Sequence, residues 1–245
     1  MGRIVGMSIG TVRFWEKSTN RQELLKHLRN LPISGVELAF SNKQELFSFK
    51  ISQDNKDWLR KLAYVSIHAP FYLVDESKDE AELIKQLNRI NSVYKQTSAK
   101  NVVFHPGQIP PPSLLARYPL SASVENMSKS HGFSLRKLEL IMKKYPEMGF
   151  CLDVGHAYRY TPQHTKMIVD KFKERIKQVH LHAAFRRKDH LSLRKASKRF
   201  LKSIRPIFSI DVPIIIEEDI KQKNARLLRS ELAFVQKYLR SITTT

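Results

Sequence analysis

Cysteine is nearly absent from this 245-residue chain, glycine is scarce, and no apolar run is long. The single thiol, Cys151, excludes an intramolecular disulfide and any zinc site built from several cysteines. Eight glycines and eleven prolines exclude a collagen-like or linker-dominated chain. No G-x-G-x-x-G follows the first strand-like segment, which argues against a dinucleotide-binding fold. The longest apolar stretches, such as Val212 to Ile216, fall far short of the roughly 20 residues that span a bilayer. The chain runs from Met1-Gly2-Arg3 straight into a strand-like segment, without the pattern of a cleavable signal. A cytoplasmic monomer with no membrane partner is the expectation.

Acidic side chains are also few: 23 Asp and Glu stand against 43 Lys and Arg, a formal net charge of +20. A field of that sign draws polyanions, so nucleic acid is an expected partner. A lysine-rich surface adapted to heat or salt is the alternative.

What is present is alternation. Strand-like segments lie at Ile4–Ile9, Gly35–Phe40, Ala63–His68, Asn101–His105, Ala122–Glu125, Gly149–Asp153, Gln178–His182 and Val212–Glu217. Helical periodicity occupies Arg21–Leu28, Glu82–Tyr94, Ser134–Met142, Thr165–Ile176, Leu193–Ile204 and Asn224–Leu239. Strands alternating with helices predict an α/β fold, and eight strands predict a (β/α)8 TIM barrel filling residues 1–245 as one domain. A doubly wound open sheet is the alternative.

The polar residues are placed tellingly. His68, His105, Glu125, Asp153, His180 and Glu217 fall at the carboxyl ends of strands, where a barrel gathers them around one bowl. His180 and His182 share a face by alternation, and His156 follows Asp153 on what reads as a rim loop. Three carboxylates and three imidazoles buried together without a cation would cost about several kcal/mol each. Mixed His, Asp and Glu donors suit zinc, manganese or iron, and the lack of thiolates argues against a structural zinc. A divalent metal, zinc foremost, is therefore expected. Beside the bowl, Arg186-Arg187-Lys188 could follow a phosphate backbone, or simply form a solvated surface. Tyr72 could stack on a base or sugar, or be rim packing.

The segments Ser66-Ile67-His68-Ala69-Pro70-Phe71-Tyr72, Phe104-His105-Pro106-Gly107, Ser123-Val124-Glu125-Asn126, Cys151-Leu152-Asp153-Val154-Gly155-His156, Val179-His180-Leu181-His182 and Pro213-Ile214-Ile215-Ile216-Glu217 occur in this order. The set resembles the endonuclease IV branch of the xylose-isomerase-like barrel superfamily. The resemblance implies an enzyme that holds three zinc ions and cleaves DNA on the 5′ side of an abasic site. It implies a first ion on His68 and His105, with Glu125 bridging to a second completed by Asp153, His180 and Glu217. His156 and His190 would hold a third. Glu125 and Glu217 are the candidate catalytic residues.

Three features depart from that pattern. The family's D-x-H reads Lys188-Asp189-His190 here, so Asp189 or His182 could complete the third site, or it could be empty. The usual H-L-N-D reads His180-Leu181-His182-Ala183, and Leu191-Ser192-Leu193-Arg194-Lys195 replaces a glycine-rich stretch. The alternative function is a sugar isomerase or epimerase of the same superfamily, whose single metal would need only Glu125, Asp153, His180 and Glu217. A basic nucleic-acid-binding module without chemistry is a third reading.

Overall fold

The computed structural model describes residues 3–241. In chain order the strands are β1 (Val5–Ser8), β2 (Gly35–Ala39), β3 (Tyr64–His68), β4 (Asn101–Phe104), β5 (Ala122–Glu125), β6 (Gly149–Asp153), β7 (Ile176–Leu181), β8 (Ala183–Phe185), β9 (Lys188–Leu191) and β10 (Ile214–Ile216). All but β8 and β9 pair in parallel and close a barrel in the order β1-β10-β7-β6-β5-β4-β3-β2. The expected (β/α)8 barrel is what the chain forms, and β8 and β9 add an antiparallel hairpin after the seventh barrel strand.

Alternation along each strand sorts side chains into two layers. Val36, Leu38, Val65, Ile67, Phe104 and Leu152 are fully or almost fully buried. They belong to one core with Leu87 and Ile90 of helix Glu80–Thr97, and with Leu228, Leu232 and Val235 of helix Ala225–Arg240. The alternate positions carry polar groups into the barrel. Gln178 accepts from the Tyr64 hydroxyl at 2.7 Å and from the Asn101 amide at 3.1 Å. Ser123 donates to Asn101 at 2.9 Å. These bonds satisfy groups whose burial would otherwise be costly. Helices start where side-chain caps predict: Asp79, Ser134 and Asn224 each accept a backbone N–H from the first turn.

Three local expectations are corrected. Ile176 opens β7 rather than ending a helix, because helix His164–Phe172 gives way to a 3-10 turn over Lys173–Arg175. The helix expected over Leu193–Ile204 is broken: a 3-10 turn ends at Lys195, and Ser197 caps a new helix, Lys198–Ser203. His156 lies in the first turn of a helix, Val154–Tyr160, capped by the Asp153 carboxylate, and not on a loop. Among the described residues no helix is long and apolar enough to cross a membrane.

Candidate metal centre

The parallel register brings the carboxyl ends of the strands to one level, pairing Ala39 with His68, Glu125 with Cys151 and Asp153 with His180. His105 and Glu217 follow directly on β4 and β10. Three groups of donor atoms result, each within 4.8 Å among its members: His68, His105 and Glu125; Glu125, Asp153, His180 and Glu217; His156, His182 and His190.

Glu125 is the hinge of this arrangement. Its Oε2 faces His68 Nε2 at 3.1 Å and His105 Nε2 at 3.7 Å, while its Oε1 faces His180 Nδ1 and His156 Nδ1, both at 3.4 Å. One carboxylate thus presents a separate oxygen to each of two groups. Burial opposes its ionisation, yet His180, His156 and His68 hold it well below the usual carboxylate range.

The hydrogen bonds of the imidazoles decide which nitrogens can bind a cation. His68 lies with Nδ1 2.8 Å from the Ala69 carbonyl, so Nδ1–H donates there and Nε2 faces Glu125 at 3.1 Å. With a cation between them, Nε2 would be the atom that binds it. Phe71 lies against both rings, stacked on His105 and edge-on to His68. Burial, and then the neighbouring His68, lower His105 to about 3, so its imidazole is neutral at neutral pH.

His180 is fully buried, with Nε2 3.1 Å from the Glu37 carboxylate and Nδ1 3.2 Å from Glu217. Donation to Glu37 leaves Nδ1 for the centre. Glu37 was not singled out from the sequence. It is completely buried in the middle of β2, where it also accepts from Ser66 at 2.9 Å and from Gln178 at 2.7 Å. Burial opposes its charge, but His180 and then His68 hold it down at about 2. Burial, with Glu37 and Glu125 close by, raises Glu217 well above the usual range, although His180 opposes this. Glu217 therefore takes the proton in this carboxylate cluster, and a divalent cation would displace it.

The third group divides. His190 donates its backbone N–H to His182 Nδ1 at 2.9 Å, so His182 carries its proton on Nε2 and donates to Asp153 at 2.9 Å. His182 therefore orients Asp153 and has no lone pair to spare. His156 Nδ1 lies 3.2 Å from the Asn126 carbonyl, and His190 Nδ1 lies 2.7 Å from the Glu217 carbonyl. Both keep Nε2 free. Asp189 approaches His156 Nε2 at 3.8 Å but is ion-paired with Arg159. His190 adopts a left-handed backbone (φ 51°), which costs about 1–3 kcal/mol and is held by these bonds together with Asp219 N–H donating to its carbonyl at 2.8 Å. Packing is close here: a Cβ on Gly155 would come within 2.0 Å of His182.

The remaining candidates lie outside the donor groups. Tyr72 is exposed and lines the cavity of about 300 Å³ above the donors, together with Ser8 and His131. Arg186, Arg187 and Lys188 form the exposed end of the β8–β9 hairpin, with Arg186 in the left-handed region at its turn (φ 54°).

No protein-family model matches the sequence, and no curated protein matches it. Among solved structures, a D-tagatose 3-epimerase-like protein superposes with a TM-score of 0.68 at 18% identity, covering 98% of each chain. Endonuclease IV from Thermus thermophilus gives 0.65 at 17% identity over 96% of this chain and 100% of its own. D-allulose 3-epimerase from Methylomonas sp., in complex with D-allulose, gives 0.63 at 14% identity over 100% and 98%. What they share with this chain is the fold.

The donor chemistry suits a divalent metal: imidazole nitrogens and carboxylates, buried together, with several of the rings fixed by carbonyl acceptors. Replacing His182 by alanine is expected to lower zinc affinity about 10–100-fold by releasing Asp153, without removing an ion outright. Competition with a chromogenic chelator measures this. Unchanged affinity would show that Asp153 does not depend on His182.

Proposed function

We propose that the protein is a metal-dependent endonuclease that hydrolyses the DNA phosphodiester bond at abasic or otherwise damaged positions. The observation that carries this reading is the divided carboxylate of Glu125, with His68 and His105 on one oxygen and the second group on the other. A single-metal isomerase has use for Glu125, Asp153, His180 and Glu217 alone. It has none for a pair of histidines braced by Phe71. The charge of +20 agrees with a polyanionic substrate.

In this reading His68, His105 and Glu125 hold one ion, and Glu125, Asp153, His180 and Glu217 hold a second. His156 and His190 serve a third, and zinc suits the imidazole-rich set best. The ions would supply Lewis-acid stabilisation of the charge that develops on the phosphodiester. The protein's own part is placement. Glu37 and the Ala69 carbonyl fix two ligand imidazoles, while the bowl above, with Tyr72 at its edge, receives the sugar-phosphate. Arg186, Arg187 and Lys188 would meet flanking phosphates.

The test is incision of a labelled duplex carrying one abasic-site analogue, with and without chelator. Cleavage at the lesion is expected, abolished by chelator and restored by zinc or manganese. Turnover of a ketose with no incision would replace this reading with the isomerase, which the four-membered group satisfies by itself.

A further inference from the structure

The hairpin that overhangs the metal centre also forms one wall of a second, larger cleft of about 1030 Å³. The segment after β10 bounds it as well, and Asp189, His190 and Asp219 line both cavities, so the cleft opens beside the donor groups.

Its charges are unequally satisfied. Each carboxylate has at least one partner: Asp189 has Arg159, Asp219 has Arg13 at 2.9 Å, Glu218 accepts from the Leu193 N–H at 2.7 Å and Glu231 from Ser192 at 2.7 Å, although the second oxygen of Glu218 and of Glu231 is buried without one. The cations differ. Arg187, Lys188, Lys195 and Lys221 line the cleft, and among the described residues none has a carboxylate within ion-pair distance. An unpaired positive lining calls for an anionic occupant.

One exposed aromatic ring, Phe185, lines it, and a second, Phe14, lies beside Lys221 of its lining. Phe185, at the end of β8, is 58% exposed, with the Arg186 guanidinium 5.2 Å from its ring. Phe14 is 53% exposed and carries Arg13 at 4.8 Å and Lys221 at 6.0 Å. Solvated phenyl faces beside free cations suit an occupant with both bare base faces and phosphates, which is single-stranded nucleic acid. In a duplex the base faces are covered by their neighbours.

We propose that this cleft binds the unpaired DNA strand leading away from the metal centre. Phe185 and Phe14 stack bases, and Arg187, Lys188, Lys195 and Lys221 hold phosphates. The proposal rests on the reading of the centre as one that acts on DNA.

Fluorescence anisotropy tests it, using the full chain in chelator, a labelled single-stranded oligodeoxynucleotide and the matching blunt duplex. Phe185→Ala is expected to weaken single-strand binding about 5–100-fold and to leave duplex binding nearly unchanged. The pair Lys195→Ala with Lys221→Ala should lower the slope of log single-strand affinity against log salt by about 1.4, two phosphate contacts' worth. Wild-type single-strand affinity in Phe185→Ala, equal losses on both probes, or an unchanged salt slope would overturn the proposal. So would a wild-type protein that does not bind the single strand. The incision assay stands apart: binding as expected but no incision refutes the proposed activity alone, and incision with no effect of these variants refutes the cleft alone.

Discussion

Replacing Glu125 by glutamine is expected to strip metal from the centre and lower the turnover rate about a thousandfold. The reason is geometric. Each carboxylate oxygen serves a different donor group, Oε2 toward His68 and His105 and Oε1 toward His180. A carboxamide keeps one oxygen and turns an NH2 toward the other group, where a donor meets a cation. Loss of one charge and one ligand at a shared position removes several kcal/mol of charge stabilisation, which is about three powers of ten in rate. Elemental analysis of the purified variant should show less than the wild-type metal, with unchanged far-ultraviolet circular dichroism. Full metal content and full rate would refute the bridging role. His68→Ala sharpens the result. It should remove the ion of the first group and the incision activity, whereas a single-metal isomerase would retain the ion held by Glu125, Asp153, His180 and Glu217.

Chelation is expected to lower the melting temperature by about 10 °C. The donors are spread along the chain from His68 on β3 to Glu217 after β10, so no metal site exists once the barrel opens. A cation that binds only the folded state stabilises it by about 4 kcal/mol when present at a thousand times its dissociation constant. In a domain of this size that corresponds to a shift of about 8–16 °C. The stripped protein also keeps Glu37, Glu125 and Asp153 buried, with only protonated imidazoles to balance them. His156, raised to about 9 by Asp153 and Glu125 against the effect of burial, supplies part of that balance. Stability resting on this raised histidine is fully present below about pH 6.5 and is lost progressively as the pH rises from there through about 9. The drop in melting temperature on chelation should therefore be largest in mildly alkaline buffer. Identical melting curves with chelator and with zinc would show that the donor groups hold no ion.

Much of this molecule can be read from its residues. All eight barrel strands are visible as short apolar runs, because a parallel strand covered by helices has no solvent face to interrupt it. Their end residues stand out for the same reason: His68, Glu125, Asp153 and His180 break apolar runs where a structural role would not ask for them. Glu37 escaped because a single acidic residue inside Gly35-Val36-Glu37-Leu38-Ala39 has no motif around it; its meaning comes from Ser66, Gln178 and His180, which the barrel brings from other strands. Helix Gln53–Lys61 escaped because it buries only Leu59 and so lacks an apolar stripe. The β8–β9 hairpin escaped because its turn uses Arg186 at positive φ in place of the Asn-Gly or Gly pairs that announce such turns. The role of His182 turns on which neighbour donates to it, and that is set by the backbone of His190, eight residues away.

His190 also ties the hairpin to the bowl at three points. It belongs to β9, yet its amide is fastened to His182, its carbonyl to Asp219 and its ring to Glu217. The hairpin is thus a lever whose pivot is an imidazole. If its tip swings, either that ring must rotate over the bowl or one of the three tethers must part, so whatever grips Phe185 from outside is felt where the chemistry would occur.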